Sequence, residues 1–425
     1  MKIRSILTVG TVFAAAVALT GCTGGAGGGD DSADGEVTFQ TWSLKNDTFT
    51  PYFEKVIDAF EKDHEGVTVD WVDQPADGYE DKILQQAESG ELPDVVNLPP
   101  EYAQQLAAAG QLLDLTQETS LDAYGDGGVA AYTYEDLDGT YGFPWYLGTE
   151  LNYWNMADWK KAGIDTPPET FQEMLDGAAK LADKGIATIS DIPGPKSLQT
   201  FITDGGAEFP FMVDGKFAFD TPEAEAILER YAELYKKGAV SPEALQNAGT
   251  LDANVDNFVK GNAAWSTSAP NFIDKNIAVN APKLLPDVKV TSGFGTPPLF
   301  VQGVGVAANS SDKKAAVEFA QYLTNDENQI EFLKLAAGYF PGTKKANEDP
   351  TQFAEAAKND EQKVANKLAA AQMDTARVQG GDATGYTEQM ENYAKQQFAL
   401  AVKGELTPKE ALQKASAYAD ENVSK

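Results

Sequence analysis

The sequence predicts an α/β protein with two domains. Strand patterns alternate with helix patterns along the first part of the globular region, which is typical of βαβ units and a parallel sheet. The chain has 425 residues, which is more than one hydrophobic core usually supports, so a second domain is expected. A composition of 42% hydrophobic and 10% aromatic residues is sufficient to fill two cores.

The first domain begins with three predicted strands. Segments 37–42 and 67–71 alternate apolar and polar residues, and segment 94–98 is a short apolar run. A helix pattern follows each strand. Gly90 and Gly110 lie where the second and third of these helices should end. Strands and helices therefore alternate over this whole region.

The middle of the chain has a different pattern. Segments 139–144 and 150–155 resemble strands on either side of a predicted loop at 145–148. A helix is predicted from residue 171 to 184, and Thr221 followed by Pro222 predicts the start of another. From Ser311 onward nearly all of the sequence has a helix pattern.

The N-terminal residues predict export and membrane attachment. Two basic residues precede an uncharged run, 5–21, which is shorter than the ~20 apolar residues of a spanning helix, so residues 1–21 read as a signal peptide. The run ends in Leu19-Thr20-Gly21-Cys22, which resembles the bacterial lipobox and implies a lipid on Cys22. Residues 22–35 are rich in Gly and Asp, and we expect a flexible tether.

Composition excludes several classes of function. A formal net charge of −32 disfavours nucleic acid and anionic lipid as partners. The single cysteine cannot form an internal disulfide, and one His with one Cys disfavours metal sites built from those residues. His64 is the only candidate base for a catalytic triad, and its charged neighbours favour a surface role. No Walker-type phosphate loop is present. We expect no metal and no cofactor.

The carboxyl ends of the predicted strands suggest a ligand site. Loops converge there in open parallel sheets, and the residues found at these ends are Trp42, Gln74 and Asn97. Amides both donate and accept hydrogen bonds, and an aromatic ring can cover the apolar face of a sugar. This combination suits a neutral polyhydroxylated ligand.

Four stretches, 91–116, 139–170, 258–264 and 315–341, together resemble the extracellular solute-binding proteins of ABC importers, family 1, in the maltose-binding-protein-like branch that serves carbohydrates. The resemblance extends over 36–420. It implies a type II periplasmic-binding-protein-like fold: two lobes, each a mainly parallel sheet flanked by helices, joined by hinge strands. The implied first lobe comprises 36–145 plus 298–345, and the implied second lobe comprises 146–297 plus 346–425.

The resemblance also implies which residues face the cleft between the lobes. The first lobe would contribute the three strand-end residues already named. The second wall would consist of Trp145, Tyr146, Trp265, Ser266 and Ser268, and Tyr339 is a further candidate. We assign Trp71, Trp154 and Trp159 to packing.

The implied function is capture of a carbohydrate, an oligosaccharide in particular, outside the cell and its delivery to an ABC transporter permease. The protein would be a monomer held at the extracellular face of the membrane by the lipid on Cys22. Two alternatives stay open. A secreted carbohydrate-active enzyme needs only two carboxylates, and the acidity, with Asp47 near Trp42, favours a cationic solute such as a polyamine.

Overall fold

The computed structural model of the chain describes residues 35–134, 137–246, 248, 253–353, 357–373, 375–380 and 385–423. The predictions of a signal peptide and of a lipid on Cys22 lie outside these residues, as does nearly all of the predicted tether. They stay predictions.

The strands of the described residues are β1 (Gly35–Trp42), β2 (Val67–Gln74), β3 (Val95–Leu98), β4 (Thr133–Tyr134), β5 (Gly139–Thr140), β6 (Phe143–Gly148), β7 (Leu151–Asn155), β8 (Met212–Val213), β9 (Lys216–Phe217), β10 (Trp265–Ser268), β11 (Val288–Thr291), β12 (Phe300–Val306) and β13 (Phe340–Pro341).

The α-helices of the same residues are α1 (Thr50–Asp63), α2 (Tyr79–Ser89), α3 (Pro100–Ala108), α4 (Asp126–Ala131), α5 (Met156–Lys161), α6 (Phe171–Ala182), α7 (Pro195–Asp204), α8 (Pro222–Lys237), α9 (Pro242–Gln246), α10 (Ala253–Val259), α11 (Ala278–Asn280), α12 (Lys313–Leu323), α13 (Asp326–Leu335), α14 (Lys344–Asn347), α15 (Asp360–Gln372), α16 (Glu388–Lys403) and α17 (Pro408–Asn422).

The larger sheet has six strands in the order β13-β6-β12-β3-β1-β2. Strand β1 pairs in parallel with both β2 and β3, which confirms the βαβ prediction for the N-terminal region. Strand β12 comes from much later in the sequence and runs antiparallel to β3 and β6. Residues distant in sequence therefore complete the first sheet.

The smaller sheet has three strands in the order β10-β7-β11, and both pairings are antiparallel. The expectation of a mainly parallel sheet in each lobe is therefore wrong for this sheet. Both partners of β7 come from later in the chain and do not belong to consecutive βαβ units. The sheet is therefore antiparallel.

Two hydrophobic cores form the interiors of two lobes. One surrounds the six-stranded sheet and contains Phe39, Phe53 and Phe319. The other contains Trp159 and Leu228, and here α16 packs against α8 and α17. The first core also includes residues such as Phe272 and Ala365, beyond the implied first lobe, so the residue limits of the lobes stay a prediction.

Two chain segments connect the two sheets. Residues 149–150 lead from β6 to β7, and residues 292–299 lead from β11 to β12. The buried Gln372, at the end of α15, links them: its Nε2 donates to Thr149 Oγ1 (2.5 Å) and to the Glu150 carbonyl (2.8 Å), and its Oε1 accepts from the Gly293 amide (3.1 Å). One side chain thus ties both connections together.

The predicted loop at 145–148 is wrong, because β6 continues through it to Gly148. This strand is paired on both sides, with β12 and with β13, so its apolar residues complete the sheet. The prediction that Thr221 starts a helix is confirmed: its side chain accepts from the Ala224 amide at 3.2 Å, and Pro222 occupies the first turn.

Candidate functional site

A cleft of about 1020 Å³ lies between the two lobes. One wall comes from the first lobe and includes Glu101 and Tyr134, and the opposite wall includes Lys196 and Tyr386. A concave site with polar groups on both walls, at a junction of lobes, is the usual place for a small-molecule ligand. The cleft is therefore the starting point for the site.

A set of six ionisable side chains extends from this cleft toward the hinge. We call it the charged cluster, and its members are Glu101, Glu150, Asp191, Lys196, Glu391 and Lys395. Lys395 Nζ lies 3.3 Å from Asp191 Oδ2, and Glu391 Oε2 accepts from the Tyr386 hydroxyl at 3.0 Å and from the Lys196 amide at 3.3 Å. Both partners of each interaction belong to the second lobe.

Gly194 lets the backbone before α7 lie directly against the Glu391 side chain. A Cβ atom built at Gly194 would overlap Glu391 Oε1. Because Gly194 lies directly before α7, any larger residue would push the first turn of this helix away from α16. The absence of a side chain at this position thus helps to hold Glu391 where it is.

Glu150 lies on the connection between the sheets. It follows Tyr146 and Gly148 at alternate positions, and in an extended chain such positions share a face. Burial raises the pKa of its carboxyl group, while Thr267 and Lys395 act in the opposite direction. The charged cluster therefore reaches the connection between the two sheets.

Burial shifts the protonation equilibria of the cluster. Burial raises the pKa of Glu391 and of Glu150, while nearby lysines act in the opposite direction. Glu101 is exposed at the surface of the cleft, and desolvation by the surrounding walls raises its pKa. For Lys395, burial alone would lower the pKa, but the carboxylates of Asp191 and Glu391 outweigh it and the pKa is raised. Burial and the neighbouring charges therefore raise the pKa of these three carboxyl groups and of Lys395.

The raised pKa of Glu391 predicts a pH-dependent stability. Above the ordinary value of 4.5, the folded state binds more protons at this group than the unfolded state, so its contribution to stability is lost as pH rises through the folded pKa. Relative to the Glu391→Gln variant, the wild type should therefore lose free energy of unfolding as pH increases above that value. Urea unfolding of both proteins across this range measures the difference, and parallel pH profiles would contradict the prediction.

Five of the nine predicted ligand-binding residues are accessible to solvent. Tyr339 is exposed, and Trp42, Gln74, Tyr146 and Ser268 are half-buried. The Trp42 ring lies 6.4 Å from the ring of Tyr102, the residue next to Glu101, which places it near the first-lobe wall of the cleft. The Tyr146 and Tyr339 rings are 5.2 Å apart.

The other four predicted residues are buried, and the structure corrects their assignment to the cleft. The Trp145 ring packs between Phe53 and Phe332 in the first core. The Asn97 amide donates to Gln302 Oε1 (3.2 Å) and to the Gly303 carbonyl (3.0 Å), which ties β3 to β12.

Trp265 and Ser266 are buried at the start of β10. Trp265 Nε1 donates to Asn152 Oδ1 at 3.0 Å, and the Ser266 hydroxyl donates to the Thr267 carbonyl at 3.1 Å. All four buried residues therefore serve packing and strand pairing. Trp71, Trp154 and Trp159 are also buried, which confirms their assignment to packing.

None of the nine predicted residues lines the cleft in the part of the chain that the structure describes. Sequence reasoning missed the charged cluster, although two signals were present. Glu101 lies three residues beyond the end of β3. The search for ligand contacts considered only the residues at the strand ends themselves, so it did not include Glu101. Glu391 and Lys395 have helical i, i+4 spacing next to the buried Ala394.

Within the described ranges, no group of three or more His, Cys, Asp or Glu side chains is arranged to hold a metal ion. No helix in those ranges has the length and hydropathy needed to cross a membrane.

The sequence comparisons agree with this architecture. The family described as "Bacterial extracellular solute-binding protein" matches residues 55–366. YcjN of Escherichia coli K12, named as a periplasmic-binding protein of an ABC transporter, is 24% identical over 306 residues, which is 67% of each chain. The sn-glycerol-3-phosphate-binding periplasmic protein UgpB of the same strain is 27% identical over 228 residues, 48% of this chain and 49% of UgpB. These named relatives are binding proteins.

Solved structures share the fold at low sequence identity. The sugar-binding protein MalE of Xanthomonas citri is 17% identical with a TM-score of 0.72, covering 91% of this chain and 97% of MalE. The cyclic alpha-maltosyl-1,6-maltose binding protein of Arthrobacter globiformis is 20% identical with a TM-score of 0.70, covering 91% and 98%. The two-lobe type II fold and the family match over most of the chain give the same answer: this protein is a member of the bacterial extracellular solute-binding protein family.

Proposed function

We propose that the protein captures a carbohydrate, an oligosaccharide in particular, outside the cell and delivers it unaltered to the permease of an ABC transporter. The ligand lies between the lobes, which close on it like a clamshell. The proposed lobes are residues 36–145 plus 298–345 and residues 146–297 plus 346–425. The proposed contacts are Trp42, Gln74, Tyr146, Ser268 and Tyr339, together with the charged cluster.

The observation that carries this proposal is the presence of both accessible aromatic rings and carboxyl groups around the junction of the lobes. Tyr146 and Tyr339 lie on the hinge side, and Trp42 and Tyr102 on the first-lobe side. Carboxylates accept hydrogen bonds from hydroxyl groups, and aromatic rings cover the apolar faces of sugars. A polyhydroxylated ring uses both kinds of contact at once.

Structures of the same fold are consistent with a sugar ligand. GacH of Streptomyces glaucescens, described in complex with acarbose, is 19% identical with a TM-score of 0.67 and covers 92% of this chain and 99% of GacH. The described lining of the cleft contains Glu101, Asp122 and Asp126 as well as Lys196, Lys344 and Arg377, so its charge gives no preference for a phosphorylated ligand such as that of UgpB.

A glycan panel tests the proposal. The soluble form of the protein, without residues 1–22, is melted in the presence of neutral mono- and oligosaccharides. A ligand that binds only the folded state raises the melting temperature, by an amount that increases with its concentration. We expect at least one neutral oligosaccharide to do so, and a panel without any shift would contradict the proposal.

The same incubations separate the receptor from a secreted carbohydrate-active enzyme. A receptor leaves the glycan intact, so chromatography before and after incubation should give identical profiles. Cleaved products would exclude the receptor and favour the enzyme.

A cationic solute such as a polyamine is the second candidate. The four carboxyl groups of the charged cluster favour it, because two lysines cannot neutralise all of them. Its binding would depend on charge pairing and would weaken strongly as salt increases, whereas binding of a neutral sugar would not. Spermidine in the same melting experiment, at low and high salt, distinguishes the two ligands.

Lipid attachment at Cys22 is the proposed means of keeping the receptor near its permease. We expect Cys22→Ser to release the protein into the medium and to reduce sugar uptake by cells, while sugar affinity stays the same because the cleft is untouched. Cell fractionation and immunoblotting measure the release. Retention of the variant in the membrane fraction would contradict the anchor.

A further inference from the structure

One side-chain hydrogen bond joins loops that belong to different sheets. Asn271 lies three residues beyond β10 of the smaller sheet, and Ala337 lies three residues before β13 of the larger sheet. Asn271 Nδ2 donates to the Ala337 carbonyl at 2.8 Å. We call this hydrogen bond the latch. It links the two sheets at a point outside the connections 149–150 and 292–299.

The donor of the latch is held firmly on the side of the smaller sheet. Phe272, the next residue after Asn271, packs edge-on against Tyr153 of β7, with ring centroids 4.9 Å apart. The preceding residue, Pro270, accepts a hydrogen bond through its carbonyl from Gln362 Nε2 at 2.6 Å. Both neighbours of Asn271 in the chain are therefore fixed, to the smaller sheet and to α15.

The acceptor of the latch is held on the side of the larger sheet. Residues 336–339 connect α13 directly to β13, and Phe340 of β13 pairs with Leu147 of β6. Carbonyl groups at the end of a helix have no partner within the helix, so the Ala337 carbonyl, just past α13, is open to a donor from elsewhere. The Asn271 amide supplies that donor.

Gly338 makes room for the Asn271 side chain. Its φ is +102°, which lies in the region that favours glycine. A Cβ atom built at Gly338 would lie 2.5 Å from Asn271 Nδ2 and 2.7 Å from Asn271 Cγ. Any larger residue would therefore push the amide away from the Ala337 carbonyl. The backbone on the larger-sheet side is thus shaped to receive this amide.

The latch opposes rotation of one sheet against the other. The fold has two cores and short connections between its sheets, for which hinge rotation is the expected motion. A rotation that separates the loop after β10 from the loop before β13 must break the latch. One intramolecular hydrogen bond shifts an equilibrium by about two- to tenfold, which is enough to favour one angle without preventing the others.

We propose that Asn271 holds the two sheets at one preferred angle through its hydrogen bond to the Ala337 carbonyl, with Gly338 providing the space for its amide. The latch is independent of the proposed ligand. A ligand that binds only one arrangement of the lobes has an affinity that depends on the fraction of molecules in that arrangement. The strength of the latch therefore enters the affinity of any such ligand.

Distances between two spin labels test the latch without any ligand. The soluble form, without residues 1–22, contains no cysteine. Glu65→Cys, between α1 and β2, and Lys237→Cys, at the end of α8, introduce exposed labelling positions on the two lobes. Double electron–electron resonance should give one dominant distance in this protein. Adding Asn271→Ala should raise the population at other distances by about two- to tenfold relative to the dominant one.

Gly338→Ala disturbs the same hydrogen bond from the other sheet and should change the distance distribution in the same way. Either variant that melts cooperatively is sufficient for the test, and the half-buried position of Asn271 favours folding of Asn271→Ala. If a folded variant and the parent protein give superimposable distributions, the latch is wrong.

Asn347→Ala is the matched control. Asn347 Nδ2 also donates to backbone carbonyls, those of Pro341 at 2.6 Å and Thr343 at 3.0 Å, but these partners lie on the same side as Asn347 itself, around β13 and α14. The control should leave the distance distribution unchanged. A change in Asn347→Ala equal to that in Asn271→Ala would also contradict the latch, because the effect would then not depend on a contact between the sheets.

Discussion

Replacing Trp145 by alanine should lower the free energy of unfolding by about 3–5 kcal/mol, the range for removing a large aromatic side chain from a core. The indole ring is fully buried, and its centroid lies 4.6 Å from that of Phe332 and 5.8 Å from that of Phe53. Urea denaturation measures the loss. Because the ring does not reach the cleft, the fraction that stays folded should bind sugar with wild-type affinity.

Trp145→Phe is the matched control. It retains an aromatic ring in the core and removes the indole N–H, which is buried and has no hydrogen-bond partner within the described residues. An unpaired buried donor is itself unfavourable, so part of the cost of the smaller ring is offset. We expect a clearly smaller loss than with alanine. If either variant loses sugar affinity without losing stability, Trp145 contacts the ligand after all.

Gln372→Leu should cost about 2–3 kcal/mol of stability, because it leaves the Glu150 carbonyl and the Gly293 amide without their partner. The effect should be local to the hinge, since these groups belong to the two connections between the sheets. Hydrogen exchange followed by mass spectrometry should therefore show faster exchange in the peptide that contains Gly293.

Gln362→Leu provides the control on the same helix. Gln362 is also buried, and it binds backbone groups too: Oε1 accepts from the Asp274 amide at 3.0 Å and Nε2 donates to the Pro270 carbonyl at 2.6 Å. This variant should lose comparable stability, but faster exchange should appear at Asp274 instead of Gly293. Equal exchange at Gly293 in the Gln372 variant and the wild type would contradict the hinge role.

The sequence predicted the βαβ part of the fold well and the hinge poorly, for a physical reason. Alternation in β1 and β2 and the short run in β3 reflect burial against nearby helices, so local periodicity reveals them. Strand β6 is different, since both of its neighbours, β12 and β13, come from more than 150 residues later. Nothing local distinguishes residues 145–148 in a strand from the same residues in a loop.

The candidate site shows the same limit. Strand-end reasoning identified Trp42, and the resemblance identified Tyr146 and Tyr339, which are accessible. It also identified Trp145 and Trp265, because an aromatic residue at a strand end looks the same in sequence whether it points inward or outward. The charged cluster draws on 101, 150, 191 and 391, and only the folded chain brings these positions to one junction.

The hydrogen-bonding capacity of carboxyl groups also bears on ligand binding. A carboxyl group accepts hydrogen bonds from the hydroxyl groups of a sugar, whether or not the sugar is charged. The accumulation of acidic residues between the lobes is therefore compatible with a neutral ligand. This is why the response of affinity to salt decides between a sugar and a cation.

The most direct measurement is a titration of the soluble protein with a neutral oligosaccharide by isothermal calorimetry, at about 50 mM and about 500 mM NaCl. We expect one binding site and the same Kd at both salt concentrations, because neutral stacking and hydrogen bonds are not screened. Binding of spermidine that weakens steeply with salt, with no heat from any neutral glycan, would contradict it.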